Sequence, residues 1–195
     1  MARPAHRPSR RSHVLDASLE LFVERGATAV TVADIAERAR MTPAAVYYHF
    51  PSKAEVLLEL VEVIGDRLVE EVRGATVVTG LDAWLAGRYD ALEAWRREAP
   101  GELALYLGAS VGFSTAVETV RRRQHRELLA SAADVVARFR RDLDAVEVQI
   151  VALGLVTLLL EAFGAEQPSG RDEVVAVGAQ LQATAPLTRP RRLRR

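Results

Sequence analysis

Residues 31–50, TVADIAERARMTPAAVYYHF, followed by Pro51-Ser52-Lys53, contain two short helical patterns with little between them. Thr31 is placed to cap the first, and Asp34, three residues on, completes a Thr-x-x-Asp capping box. Val32, Ile35, Ala36 and Ala39 then fall on one helical face. Thr42 before Pro43 restarts the chain, because Thr is a good N-cap and Pro suits the first helical position. The second helix, over about residues 43–48, buries Val46. Helices crossing this closely need a small residue at the contact, which Ala36 supplies, with Val46 facing it. A turn of about three residues between two such helices is the spacing of a helix-turn-helix, whose second helix enters the DNA major groove.

Three stretches resemble one family: Leu19-Glu20-Leu21-Phe22 with Gly26, then Thr31-Val32-Ala33-Asp34-Ile35-Ala36, then Val46-Tyr47-Tyr48-His49-Phe50-Pro51-Ser52-Lys53. Together they are similar to the DNA-binding domain of TetR-family transcriptional regulators, over about residues 10–57. The rest of the chain resembles that family only in length and helical character. The resemblance implies a homodimer on a short palindrome of double-stranded DNA, with a divergent helical domain whose small-molecule effector releases the DNA. It places Tyr47, His49 and Lys53 where the family contacts phosphate. One position departs from the pattern: Arg40 stands in the turn where the family usually has Gly. A left-handed backbone there costs a non-Gly residue roughly 1 kcal/mol, and Arg40 also sets an extra cation beside the DNA.

Charge distribution agrees with a DNA-contacting head. The formal net charge is zero, but residues 1–53 carry eight Lys or Arg against five acids, and residues 186–195 carry five Arg and no acid. The remainder is acidic, at −8. No cysteine is present, which excludes disulfides, thiolate metal sites and thiol redox sensing. The N-terminal cations are not followed by an apolar h-region, and the apolar run 150–160 is shorter than the ~20 residues that span a bilayer. The expectation is a cytoplasmic protein without membrane contact. No nucleophile–base set, metal cluster or phosphate-binding Gly loop is evident, so neither catalysis, a metal nor a cofactor is expected.

The expected fold is all-α with about nine helices. Residues 1–9 read as a disordered basic arm, 10–53 as the helix-turn-helix domain, 54–185 as a helical ligand-binding and dimerisation domain, and 186–195 as a disordered basic tail. A first helix over about 10–25 ends at Gly26, and Ser52 with Glu55 opens a long helix to about Gly74. Thr79 with Asp82, Asp144 with Glu147, and Ser169 with Asp172 are expected to cap later helices.

The DNA-facing candidates are Thr31, Arg40, Thr42, Pro43, Ala44, Tyr47, Tyr48, His49 and Lys53. The recognition helix has no Arg, Asn or Gln for bidentate base reading. Sequence preference would therefore rest on methyl contacts from Thr42 or Ala44, on Arg40 and Tyr48, and on DNA shape. For an effector pocket, apolar with a few directed polar groups, the candidates are Trp84, Arg88, Trp95, Tyr106, Phe113, His125, Thr157 and Glu161. The helix over 145–163 is apolar nearly all round and must be covered on every side. A second subunit is the simplest cover, giving an expected dimer surface of Leu153, Val156, Leu160, Phe163, Val174, Val177 and Leu181. The sequence also admits two other readings: an architectural DNA binder that needs no ligand, and an all-α small-molecule-binding module without DNA function.

Overall fold

The computed structural model describes residues 10–74, 78–164 and 169–184. The proposed basic arm at 1–9 and tail at 186–195 lie outside these residues. Among the described residues there are nine α-helices and no strand: α1 Arg10–Arg25, α2 Val32–Arg38, α3 Pro43–His49, α4 Lys53–Arg73, α5 Leu81–Glu98, α6 Pro100–Ala104, α7 Thr115–Phe139, α8 Ala145–Gly164 and α9 Arg171–Thr184. A π-helical turn, Leu105–Ala109, follows α6.

These elements form two compact units. The first contains the described residues up to Gly65 together with Gly101–Arg121; the second contains Asp66–Pro100 and the described residues from Arg122 onward. Packing thus assigns the first turns of α4, and the segment from α6 into α7, to the same unit as the helix-turn-helix.

In the first unit α1 buries Val14, Ala17, Leu21 and Phe22, and α2 and α3 contribute Ile35, Ala36 and Val46. The capping box at α2 is reciprocal: the Thr31 hydroxyl accepts from Asp34 N–H at 3.2 Å, and Asp34 accepts from Thr31 N–H at 2.7 Å. Thr42 caps α3 through Ala45 N–H at 3.2 Å, with Pro43 at the first helical position. After α6 the chain widens, with Ser110 N–H donating to Leu105 five residues back at 3.0 Å. Arg121 braces this turn, donating to the Tyr106 carbonyl and lying 4.7 Å over its ring.

In the second unit α5, α8 and α9 pack on one another. Gly178 makes this possible: a Cβ there would lie 2.3 Å from Leu85 Cδ2, against α5. Asp144 and Glu147 exchange backbone caps at 3.0 and 2.8 Å, as the capping-box spacing predicts. The other two later caps differ. Gly80 precedes α5 without a side-chain cap, so Thr79 does not fill that role. α9 opens at Arg171, and its first turn closes from Val174 N–H onto the Gly170 carbonyl instead of onto Ser169. The Ser169 carbonyl instead accepts from Tyr89 Oη at 2.9 Å. α8 is long and apolar enough to cross a membrane, and half of that stretch is buried within the chain.

Candidate nucleic-acid interface

The turn between α2 and α3 determines what this surface presents. Met41 N–H reaches the Ala36 carbonyl at 2.8 Å and Arg40 N–H reaches Glu37 at 3.1 Å, the two bonds of a Schellman ending. That ending needs a left-handed residue after the cap. Arg40 takes it, at φ 55°, as the only non-Gly residue with positive φ among those described. The departure from Gly therefore leaves the turn intact and turns an arginine outward.

α3 offers little to the core beyond Val46, and its other face is open. Thr42, Pro43 and Ala44 are exposed, Tyr47 is 54% exposed and Tyr48 85%. His49 is half-buried and packs edge-on against Tyr48, with ring centroids 5.2 Å apart. Two tyrosines this exposed on a seven-residue helix add little to the core of this chain. Phe50, by contrast, is core, capped by the Arg11 guanidinium 4.1 Å above its ring. Arg11 also donates to the His49 carbonyl at 2.8 Å and pairs with Glu59, fixing the end of α3 to α1 and α4.

Lys53 is held differently from what the family pattern suggests for a phosphate contact. Its ammonium donates to the Thr28 and Val30 carbonyls at 3.0 and 2.6 Å and lies 5.7 Å from the Phe113 ring. It ties the loop before α2 to the start of α4. Thr31, at the end of that loop, is exposed, but its hydroxyl is engaged with Asp34. Those bonds, first the hydroxyl and then the backbone N–H, hold the Asp34 carboxyl below its usual range.

Ion pairing separates structural cations from available ones. Arg11 pairs with Glu59, Arg25 with Asp34 at 3.7 Å, and Arg38 with Glu20 and Glu24 at 2.8 and 2.9 Å. Arg38 depresses the Glu24 carboxyl through that hydrogen bond. Arg10, His13 and Arg40 have no carboxylate partner among the described residues, and all three are exposed. They line one groove of about 500 Å³ with Ala39, Met41, Thr42 and Ala45. Arg10 and His13 were not among the residues expected from sequence. Nothing in the helical spacing of α1 indicates that the turn carrying Arg40 lies beside them.

The effector candidates fall in both units and range from buried to exposed. Trp84 and Trp95 are buried in α5, with Arg88 half-buried between them; the Arg67 guanidinium stacks 4.5 Å from the Trp95 ring. Tyr106 and Phe113 belong to the first unit, and His125, Thr157 and Glu161 are exposed. Of the expected dimer residues, Val156, Phe163 and Val174 are buried within the chain by its own helices and Leu160 is half-buried. Leu153, Val177 and Leu181 remain open, and Val146 and Ile150 extend that set at 67% and 51% exposure. No group of three or more His, Asp or Glu positioned for a metal is found among the described residues.

A capped helix-turn-helix with an open second helix, beside a groove of cations without carboxylate partners, is the arrangement of a DNA-binding domain. Residues 14–60 match the family model described as bacterial regulatory proteins, tetR family. The chain is 36% identical over 91 residues, 44% of each sequence, to the HTH-type transcriptional repressor KstR2 of Rhodococcus jostii. It is 40% identical over 73 residues to the transcriptional activator FasR of Mycolicibacterium smegmatis, covering 37% of this chain and 33% of that one. The chain thus spans less than half the length of these curated relatives. A solved FadR from Bacillus subtilis in complex with stearoyl-CoA shares the fold, with a TM-score of 0.65 and 14% identity over 88% of this chain and 95% of that one. Residues 14–60 therefore resemble the DNA-binding domain of the TetR family of transcriptional regulators. The family and these relatives are regulators, not enzymes.

Proposed function

We propose that this protein is a ligand-responsive transcriptional regulator, acting as a repressor that binds a palindromic operator as a homodimer and is released by a small, largely apolar effector. The observation that carries the DNA-binding part is the sorting of cations. Arginines that stabilise the fold are paired, whereas Arg10, His13 and Arg40 sit unpaired in a groove beside the open face of α3. In this reading the groove, with Tyr47 and His49, meets backbone phosphate and fixes register, while Thr42, Ala44 and Tyr48 meet the base edges. Homodimerisation is supported by the open apolar stripe Val146, Ile150 and Leu153 on α8, with Val177 and Leu181 on α9. The repressor assignment follows KstR2, with the activator FasR as its counterexample. A cytoplasmic location follows from DNA as the partner.

In vitro selection from a random DNA pool at near-physiological salt tests the reading. An enriched inverted repeat is the expected result. Enrichment without symmetry supports the architectural alternative, and no enrichment at any salt rejects DNA binding altogether. Sedimentation of Leu153→Glu against the unchanged protein tests the interface: a dimer that becomes a monomer is expected, and an unchanged mass rejects this surface.

A further inference from the structure

Six arginines among the described residues are half-buried. Five hold a carboxylate: Arg38, Arg67, Arg96, Arg121 and Arg140 pair with Glu20 and Glu24, Glu98, Glu93, Glu118 and Asp142 respectively. Arg88 holds none. Its guanidinium donates to the Glu71 carbonyl at the end of α4, and its Nε is buried with no partner. The space it occupies exists because residue 74 is glycine, since a Cβ there would lie 1.6 Å from the guanidinium. One turn earlier on the same helix, Trp84 is 1% exposed and its indole Nε1 is likewise without a partner. These are the only two buried side-chain polar atoms lacking a hydrogen bond among the described residues, and they stand four residues apart on α5.

That coincidence has a chemical reading. A buried polar group without a partner costs free energy and calls for an explanation. Both groups can only donate: the indole has one N–H, and the guanidinium has five and no acceptor. Their complement is a group that only accepts, and a guanidinium with no counter-charge favours an anion. The neighbouring α5 side chains on the buried side, Leu81, Leu85 and Leu92, are apolar. A carboxylate complements the two donors, and an apolar body suits the buried leucines beside them.

We propose that Trp84 and Arg88 form the head-group end of a site for a small apolar carboxylic acid, bound as its carboxylate. The acid takes the open Nε of the same guanidinium whose Nη1 holds the Glu71 carbonyl, so its binding bears on the C-terminus of α4, the helix whose other end carries Lys53. This assigns a chemical class to the effector proposed above and rests on that reading for its regulatory meaning, though not for the binding itself.

The test uses the full chain and a series of linear aliphatic carboxylates, with the alcohol of the same chain length as control. Thermal shift reports binding. Indole emission in a Trp95→Phe variant reports on Trp84, the one tryptophan then remaining. Saturable stabilisation and a change in Trp84 emission with at least one acid, and at least tenfold weaker binding of its alcohol, are expected. Arg88→Gln should weaken the acid at least tenfold. Should that variant fail to fold, Trp84→Phe keeps an aromatic ring, removes the N–H and should show the same direction of loss. Equal responses to acid and alcohol, no response across the series, or undiminished acid binding by the variants would overturn the proposal. Operator binding measured on the same samples keeps the two readings apart. An operator selected without any acid response rejects this site alone, whereas acid binding without selected DNA rejects only the regulator reading.

Discussion

Arg40 allows stability and DNA affinity to be separated within one residue. Its left-handed backbone, φ 55°, strains an L-residue by about 1–2 kcal/mol, and glycine would relieve this. Glycine also frees the unfolded chain, which costs roughly 0.5–1 kcal/mol. Arg40→Gly should therefore be more stable than Arg40→Ala by about 0.5–1 kcal/mol, since alanine keeps the strain. For a chain of this size the difference is about 1–4 °C in Tm. Both variants remove the same charge from the groove. If that charge meets phosphate, each should lower the slope of log affinity against log salt by about 0.9 per subunit. At 0.1 M salt the corresponding loss is roughly eightfold per subunit. Calorimetry supplies the first comparison, and fluorescence anisotropy with selected DNA over a salt series supplies the second. An Arg40→Ala protein with an unchanged salt slope would refute the phosphate role. An Arg40→Gly protein less stable than Arg40→Ala would refute the strain argument, whatever happened to the DNA.

Three other perturbations follow from particular contacts. Lys53→Met removes the ammonium that holds the Thr28 and Val30 carbonyls and should cost about 1.5–3 kcal/mol in urea unfolding, with the salt slope of DNA binding unchanged; a lowered slope with full stability would instead make Lys53 a phosphate contact. Gly178→Ala sets a Cβ against Leu85, itself fully buried, and should destabilise the second unit by about 1–3 kcal/mol on thermal unfolding. Asp34→Asn tests the depressed carboxyl: a group whose folded-state pKa is lowered adds stability above its unfolded pKa of ~4 and loses it as pH falls through the lower folded value. The variant should therefore be less stable at neutral pH and lose less stability on acidification below pH ~4, read by denaturant unfolding at stepped pH.

Local grammar was the legible part of this sequence. Thr31 with Asp34, Thr42 with Pro43, and Asp144 with Glu147 each specify bonds within a few residues, and each bond forms as the spacing predicts. Where local signals compete, spacing alone decided wrongly. Thr79 and Ser169 were suited to capping, but α5 and α9 start from glycines, and the Ser169 carbonyl is engaged by Tyr89 from 80 residues away. Longer-range partnerships were not legible at all. Nothing near Lys53 in sequence indicates that Thr28 and Val30 would take its ammonium, and nothing near Arg10 or His13 indicates that they would share a groove with Arg40. The eight-against-five excess of cations over acids was visible, but not which cations were already neutralised.

The more informative quantity is the cation left without a carboxylate, because a partnered arginine meets a new anion only by giving up the one it has. An exposed pair contributes little and exchanges readily, so pairing there is weak evidence of function. The argument strengthens with burial, since a half-buried guanidinium without a counter-charge has fewer waters to replace it. Arg40 and Arg88 represent the two regimes. Arg40 is exposed and gains its meaning from the backbone strain that turns it outward and from the cations beside it. Arg88 is half-buried and gains its meaning from the unsatisfied indole one turn away. In neither case does the charge alone make the argument. A second unfavourable feature stands beside it, strain in one and an orphaned donor in the other, and a bound anion at Arg88 and Trp84 would remove both of that site's penalties at once. At Arg40 the strain would persist in the complex, which is why the glycine variant is predicted to be the more stable protein and the poorer DNA binder.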